Sequence, residues 1–480
     1  MYKIVQWKGS EYHINEHGVL RQISHYDVNN PIGKEKVVIP HKFKTGEVIS
    51  SIGERVYLEG DIQSIYICDG ITDIQENAFS GTRISQLRWP NTCDTIPAHC
   101  FENSEIVKIT NIGHVKEIGE GAFYNSYIET IRWPKKCSTV PDECFYYSHL
   151  TKISNIKNVR HIQSKAFMNT RITKFVWPSN CGCIPCCCFK DSPLKKISNI
   201  EYVEKIDCEA FAWTHIESFS WPIACHEIPE SCFEGSRLRK IDRIDGVNSV
   251  CESAFASSSI DSFKWPPNCS VIPNRCFDQA PLSKITNIEH VDAVESAAFR
   301  NTNIQEFRWP SKCDLIPAEC FRSSELRRIN GIENVKYIGG SAFAYSHIES
   351  FDWPTFCPVI PKQCFSCSSL KEINNIDEIE NIEEYAFSFC DFQKFTIPKY
   401  MTEIPLGLLY RNQNLKIIKF HDRVVKIGEL AFYETSLEDV DLSFLPIQCI
   451  GESAFGEVSK GSVTFPYYMT EEEIEAATKP

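Results

Sequence analysis

The sequence predicts a β-rich repeat solenoid: a stack of roughly eighteen 22-residue rungs with a parallel inner sheet and a cap at each end. Three observations carry this expectation. Phe79, Phe123, Phe167, Phe211, Phe255, Phe299, Phe343 and Phe387 stand 44 residues apart without a slip, each preceded by alanine. A second series, Phe101, Phe145, Phe189, Phe233, Phe277, Phe321 and Phe365, lies midway, so the period is 22 with two alternating versions of one unit. Trp89, Trp133, Trp177, Trp221, Trp265, Trp309 and Trp353 keep the same 44-residue spacing. Units repeated at such a period bury their apolar side chains only against their neighbours, so the whole length reads as one stacked array rather than several globular domains.

Residues 1–56 lack the pattern and are expected to form a small β-rich cap, because an open end would expose both core and strand edge. The array proper is assigned to residues 57–465. Within it, Val115-Lys-Glu-Ile118-Gly-Glu-Gly-Ala122-Phe123 aligns with Cys93-Asp-Thr-Ile96-Pro-Ala-His-Cys100-Phe101, cysteine replacing valine and alanine. Each half-unit continues into a short strand, Ile84-Ser-Gln-Leu87-Arg-Trp89-Pro90 in one version and Ile106-Val-Lys-Ile109-Thr-Asn111-Ile112 in the other. Side chains alternate across a strand, so the periodic apolar residues point inward and those between them face solvent. That register places the tryptophans in the core. The proline after each one ends its strand, having no N–H for the ladder. Asn111, Asn155, Asn199, Asn287 and Asn375 share the equivalent slot of the other version, with Arg243 and Gly331 as exceptions, and their amides are expected to satisfy loop backbone groups. The phenylalanine series runs on through Leu409, Phe432 and Phe455, where the tryptophan is lost. Residues 466–480, with the capped helical stretch Thr470-Glu-Glu-Glu-Ile, form the other cap or tail.

The chain holds 23 cysteines, and register assigns fourteen of them. Cys93, Cys137, Cys181, Cys225, Cys269, Cys313 and Cys357 take the valine slot; Cys100, Cys144, Cys188, Cys232, Cys276, Cys320 and Cys364 take the alanine slot. Within either series neighbours are two rungs, roughly 9.6 Å, apart, beyond the reach of a disulfide. They read as small buried hydrophobes, while a bridge within one rung, such as Cys93 to Cys100, stays compatible with the spacing. In Cys181-Gly-Cys183-Ile-Pro-Cys186-Cys187-Cys188 only three thiols are spare, one short of a structural zinc set, so no metal is expected.

The positions between the inward residues are where a ligand would touch. Lys108, Lys152, Lys196, Lys240, Lys284 and Arg328 occupy one such slot in six consecutive double repeats, and Arg88, Arg132, Lys264 and Arg308 stand on a neighbouring track. Glu372 and Asp352 end the rows. A chain of net charge −13 thus carries a basic stripe on its inner face. Such a stripe suits an extended anionic partner; exposed charges also keep a sheet soluble, and both readings stand. The overall charge argues against general nucleic-acid binding. No catalytic constellation, glycine-rich phosphate loop or cofactor motif interrupts the array, and no run approaches the roughly 18 apolar residues of a membrane helix. The start, Met-Tyr-Lys-Ile-Val-Gln-Trp-Lys, shows no secretory apolar stretch; with a free-thiol core this favours the cytoplasm.

The pattern I-x-x-I-x-x-x-A-F, a small or polar residue and then L-x-x-I, carried by Ile118 to Ile131, Ile162 to Phe175 and Ile206 to Phe219, resembles the BspA-like leucine-rich repeat family over about residues 57–465. The alternating W-P-x-x-C and I-P-x-x-C-F version is similar to the form found in trichomonad surface proteins. The resemblance implies a non-enzymatic adhesion or recognition protein at a cell surface, engaging a protein or anionic glycan of host or matrix. The alternative is an intracellular interaction scaffold of the same fold.

Overall fold

A computed structural model describes residues 2–25, 35–59, 62–459 and 461–480. The chain is a β-solenoid of about nineteen turns, divided into two compact units, Met1–Ile244 and Asp245–Pro480.

The first unit opens with β1 (Tyr2–Trp7), β2 (Ser10–Asn15) and β3 (Val19–His25), paired antiparallel in sequence. Pairing then turns parallel: β3 bonds to β5 (Ser51–Glu59), and β4 (Glu35–Ile39) to β6 (Ile62–Ile67). The hairpins place Tyr12 between Trp7 and Phe43, with ring centroids 6.4 and 5.4 Å away, and so close the end of the core.

From there each coil repeats one plan. A three-residue strand such as Gln86–Arg88 runs into Trp89-Pro90, a tight turn leads to a two-residue strand such as Thr95–Ile96, and a second turn carries the phenylalanine. Each coil therefore feeds two parallel ladders, where sequence periodicity alone suggests a single inner sheet. The long-strand ladder begins as a four-stranded sheet, β4, β6, Gln86–Arg88 and Lys108–Thr110, and continues in doublets, such as Thr130–Arg132 in register with Lys152–Ser154.

The W-P-x-x-C spacing has a direct physical cause. After each proline the turn brings the cysteine carbonyl back over the indole, and Trp133 Nε1 donates to the Cys137 carbonyl at 3.1 Å; Trp177 and Trp221 repeat the bond at 2.8 and 2.9 Å. A buried indole N–H without that acceptor would cost about 1–3 kcal/mol. On the opposite side, alternate backbone N–H groups serve two directions. Phe79 N–H reaches the Cys100 carbonyl of the next coil at 2.9 Å, while Ser80 N–H closes its own turn onto Asn77 at 2.9 Å. A hydroxyl three residues after several of the phenylalanines adds a bond to the phenylalanine carbonyl, as in Ser192 Oγ to Phe189 at 2.6 Å and Thr214 Oγ1 to Phe211 at 2.8 Å.

The core of the first unit is a column of phenylalanines. From Phe79 to Phe233 the rings stack nearly parallel at centroid spacings of 5.4 to 6.1 Å. Each ring is fully buried, contributing roughly 1.5–3 kcal/mol. The indoles meet the column edge-on, Trp133 lying 6.0 Å from Phe145. The valine-slot and alanine-slot cysteines are buried as their register requires. Burial holds the Cys100, Cys144 and Cys188 thiols well above their ordinary pKa.

The second unit repeats this plan from Phe255 to Phe387, with ring spacings of 5.3 to 6.1 Å. It departs from the first at Asp278, a buried carboxylate held by Arg300 (Nε at 3.0 Å, Nη2 at 2.6 Å), Asn301 Nδ2 at 3.1 Å and Arg275 Nη2 at 3.2 Å. At the end, α1 (Glu471–Thr478) starts on a Thr470/Glu473 capping box, as the sequence suggests. Its last turn supplies the missing next coil: Ser453 and Phe455 N–H bond to the Ala476 and Ala477 carbonyls, both at 2.8 Å.

Candidate binding surface on the strand face

Each three-residue strand points its middle residue into the core and its outer two into solvent. Thr130 and Arg132 are exposed on either side of the buried Ile131, while on the Lys152–Ser154 and Lys196–Ser198 strands the first residue is exposed and the middle isoleucine is partly buried. Lys108, Arg132, Lys152, Lys196 and Lys240 are all exposed on the first unit. Arg88 is half-buried and already engaged: its guanidinium lies 4.5 Å over the Tyr66 ring and 3.7 Å from Asp69. On the second unit, Lys264, Lys284, Arg308 and Arg328 are exposed.

Register shows one residue that the reading by double repeats leaves out. Lys174 stands directly opposite Lys196 in the ladder, at the same strand position as Lys152 one coil earlier. Lys152, Lys174 and Lys196 therefore occupy one track on three successive coils of the first unit. All are exposed, and among the described residues none of the three makes an ion pair. At the roughly 4.8 Å spacing of adjacent strands, neighbouring ammoniums in water repel by just under ~1 kcal/mol. Directly opposed like charges weaken a sheet, so the fold gains nothing from the track.

The surrounding sequence strengthens the field. Residues 131–200 hold twelve Lys and Arg against three Asp and Glu, a net +9 within a chain of net −13. Beside the track, a groove of about 410 Å³ runs between the Lys196–Ser198 and Ser218–Ser220 strands, lined by Lys195, Lys196, Ser198, Ser220 and Arg243 with one acidic residue, Glu201, and flanked by the exposed Ile223.

Elsewhere the row is partly neutralised. Lys240 Nζ lies 3.1 Å from Asp242 on its own strand. On the second unit Lys264 faces Asp245 at 3.5 Å, and Arg328 stands in register with Glu306. The corresponding groove there, about 470 Å³, mixes Lys284 and Arg308 with Glu289, Glu306 and Glu333.

The asparagine slot follows its expectation at four of its five members. Asn111, Asn155, Asn199 and Asn287 donate Nδ2 to the carbonyls of Trp89, Trp133, Trp177 and Trp265 at 2.6 to 2.8 Å. All four also lie at φ between +62° and +65°, a backbone state that asparagine tolerates and glycine adopts freely, which accounts for Gly331 at φ +80°. Of the spare thiols, Cys186 and Cys187 come together, with Sγ atoms 3.4 Å apart, whereas Cys183 contacts Asp207 instead. Cys208, in no periodic series, joins them with its Sγ 3.0 Å from that of Cys186. Among the described residues no group of three or more His, Cys, Asp or Glu could hold a metal ion, and no helix is long and apolar enough to cross a membrane.

The stacked short strands, the inward leucine-type pattern and an exposed strand face define a leucine-rich repeat protein. The chain belongs to the BspA type leucine rich repeat region family, whose profile matches six overlapping stretches between residues 39 and 476. Among solved structures, a leucine-rich repeat protein from Bacteroides ovatus is 16% identical, with 88% of this chain and 98% of that chain covered and a TM-score of 0.41. A leucine rich cell surface protein from Faecalibacterium prausnitzii is 16% identical over 87% of this chain and 94% of that one, with a TM-score of 0.31. The pneumococcal vaccine antigen PcpA is 14% identical over 96% and 97%, with a TM-score of 0.26. A comparison with curated proteins gave no match.

Proposed function

We propose that this chain is a non-enzymatic binding protein whose strand face, between residues 130 and 198, grips an extended anionic partner, an acidic protein surface or a sulfated glycan. The observation that carries this reading is the placement of Lys152, Lys174 and Lys196 on one track of successive coils, exposed and, among the described residues, in no ion pair. A linear polyanion laid along the coil axis would meet one ammonium per coil, and the local net +9 would draw it in. Leucine-rich repeat proteins serve generally as binding scaffolds, which agrees with this use of the surface.

Heparin and polyglutamate are suitable probes. The Lys152→Glu/Lys174→Glu/Lys196→Glu variant should lose about tenfold or more in affinity for the probe that the surface accepts, with its melting temperature unchanged. Binding by the native protein should also weaken steeply with salt. Equal affinity of native and variant proteins for both probes would remove the reading. Adhesion at a cell surface is the physiological form proposed here; surface labelling of native cells followed by fractionation separates it from an intracellular scaffold role.

A further inference from the structure

Cys186 and Cys208 occupy the same slot on successive coils of the first unit, 22 residues apart. Cys208 Sγ donates to Cys186 Sγ at 3.0 Å, and both residues are partly exposed, unlike the core thiols of Cys181 and Cys188. Both lie in the turn after the short strand, where stacked coils keep the roughly 4.8 Å strand spacing, inside the Cα window of about 4.4–6.8 Å for a disulfide. The two sulfurs need to approach by only about 1 Å to bond. We propose that Cys186 and Cys208 form a covalent modification site at which a hydroperoxide oxidises the pair to a disulfide that staples two coils together.

The roles of the two thiols follow from the direction of their hydrogen bond. Cys186 accepts it, so its thiolate attacks the peroxide: an S–O bond forms, the O–O bond breaks, and the departing oxygen leaves as water after taking a proton. Cys208 then attacks the sulfenic sulfur of Cys186. The S–S bond forms, the S–O bond breaks, and a second water leaves with the Cys208 proton. Two electrons pass from the sulfurs to the peroxide oxygens, and the products are one disulfide and two waters for each hydrogen peroxide.

The surroundings set the character of the site. Burial, the bond to Cys186 and the nearby Glu209 push the Cys208 thiol up to about 12, so it remains a protonated donor. Burial also raises Cys186, partly offset by the bond from Cys208. Lys190, which could have favoured thiolates here, is paired with Glu209. Attack is therefore slow beside that of a low-pKa sensor thiol. The disulfide, once made, is hard to reduce because the reduced side has no stabilised thiolate. The site suits lasting modification under sustained oxidant rather than rapid cycling. Cys187, with its sulfur 3.4 Å from that of Cys186, is the competing partner, but as a chain neighbour it could bond only by closing a tight ring.

The test is hydrogen peroxide treatment of the full-length native protein, alkylation, and peptide mapping without reductant. The expected result is one linkage per chain, joining the Cys186 and Cys208 peptides. It should persist in Cys187→Ser and vanish in Cys186→Ser and Cys208→Ser. Ser164 fills the same slot one coil earlier, so serine suits the position, and unchanged circular dichroism would verify this. The wild-type map identifies the linkage even if a variant misfolds. A Cys186–Cys187 bond, a sulfinic acid at Cys186 without linkage, or thiols that react only after unfolding would each overturn the proposal.

Discussion

The Asn155 side-chain amide donates to the Trp133 carbonyl at 2.7 Å, one coil back along the stack, while the Asn155 backbone itself lies at φ +65°. One residue type thus meets two demands: it turns the chain left-handed and satisfies the carbonyl that the proline-ended strand leaves free. Asn155→Gly should keep the backbone and lose the bond, costing about 1 kcal/mol. Asn155→Val should cost about 2 kcal/mol or more, since a β-branched side chain is crowded at positive φ. Urea unfolding of both variants measures the order, and equal losses would show that only the hydrogen bond matters.

Cys188 is fully buried in a slot that alanine fills in the adjacent coils, at Ala166 and Ala210. Cys188→Ala should therefore cost less than about 1.5 kcal/mol, as a small change of volume among apolar groups. Cys188→Arg should collapse the neighbouring coils, because the buried cation would have no partner. Thiol titration of native protein should also leave Cys188 unreactive until denaturant is added, as its burial requires. A normal melting curve for Cys188→Arg would contradict the core register.

Burial pushes the Asp278 carboxyl up, but its bonds from Arg300, Asn301 and Arg275 outweigh that and hold it below the usual carboxylate range. A depressed folded pKa adds stability that is fully present above the unfolded value of about 3.9 and is lost as pH falls through the folded one. Unfolding of the wild type should thus be easier below about pH 4 than at neutral pH. Asp278→Asn should cost about 3 kcal/mol at neutral pH, by leaving Arg300 and Arg275 short of a partner, and should reduce the acid dependence. Urea midpoints at several pH values, read from a probe in the second unit, decide this.

Lys174 and Lys240 separate the surface reading into its parts. Asp242 lies 3.1 Å from Lys240 and partly neutralises it, whereas Lys174 faces only Lys196 across its ladder. Lys174→Glu should weaken binding to the accepted polyanion several-fold more than Lys240→Glu, and the difference should fade at high salt. Isothermal titration at two ionic strengths reads both effects.

Much of this molecule is legible in its sequence because the core is periodic. Phe79 and its successors, Trp89 and its successors, and the asparagine slot each repeat an interaction that the neighbouring coil completes. What escapes is aperiodic, or periodic on a different step. Lys174 belongs to the W-P half-unit, so a row read every 44 residues through Lys152 and Lys196 passes over it. Cys208 lies one 22-residue step after Cys186, but Ser164 and Glu230 flank the pair in that slot, so no repeating thiol series draws attention to it. Asp278 follows Phe277 in a slot filled by Glu234 and Arg322 in the same half-unit, so only the structure shows its carboxylate turned into a buried cluster. The second ladder hides in two-residue strands too short to give an alternation signal.

Beyond the first coils the long strands bond as doublets, a tryptophan-bearing strand to the strand that follows it, and Asn111, Asn155, Asn199 and Asn287 reach back to the tryptophan carbonyl of their pair. The heritable module is therefore the pair of coils. At the four pairs joined this way, losing one coil would strand either a carbonyl without its amide or an amide without its carbonyl, whereas removing or copying 44 residues keeps the alternation of the two coil types. Arrays of this type should change length among relatives by even numbers of coils, and unequal crossing-over within the coding sequence would supply the variants.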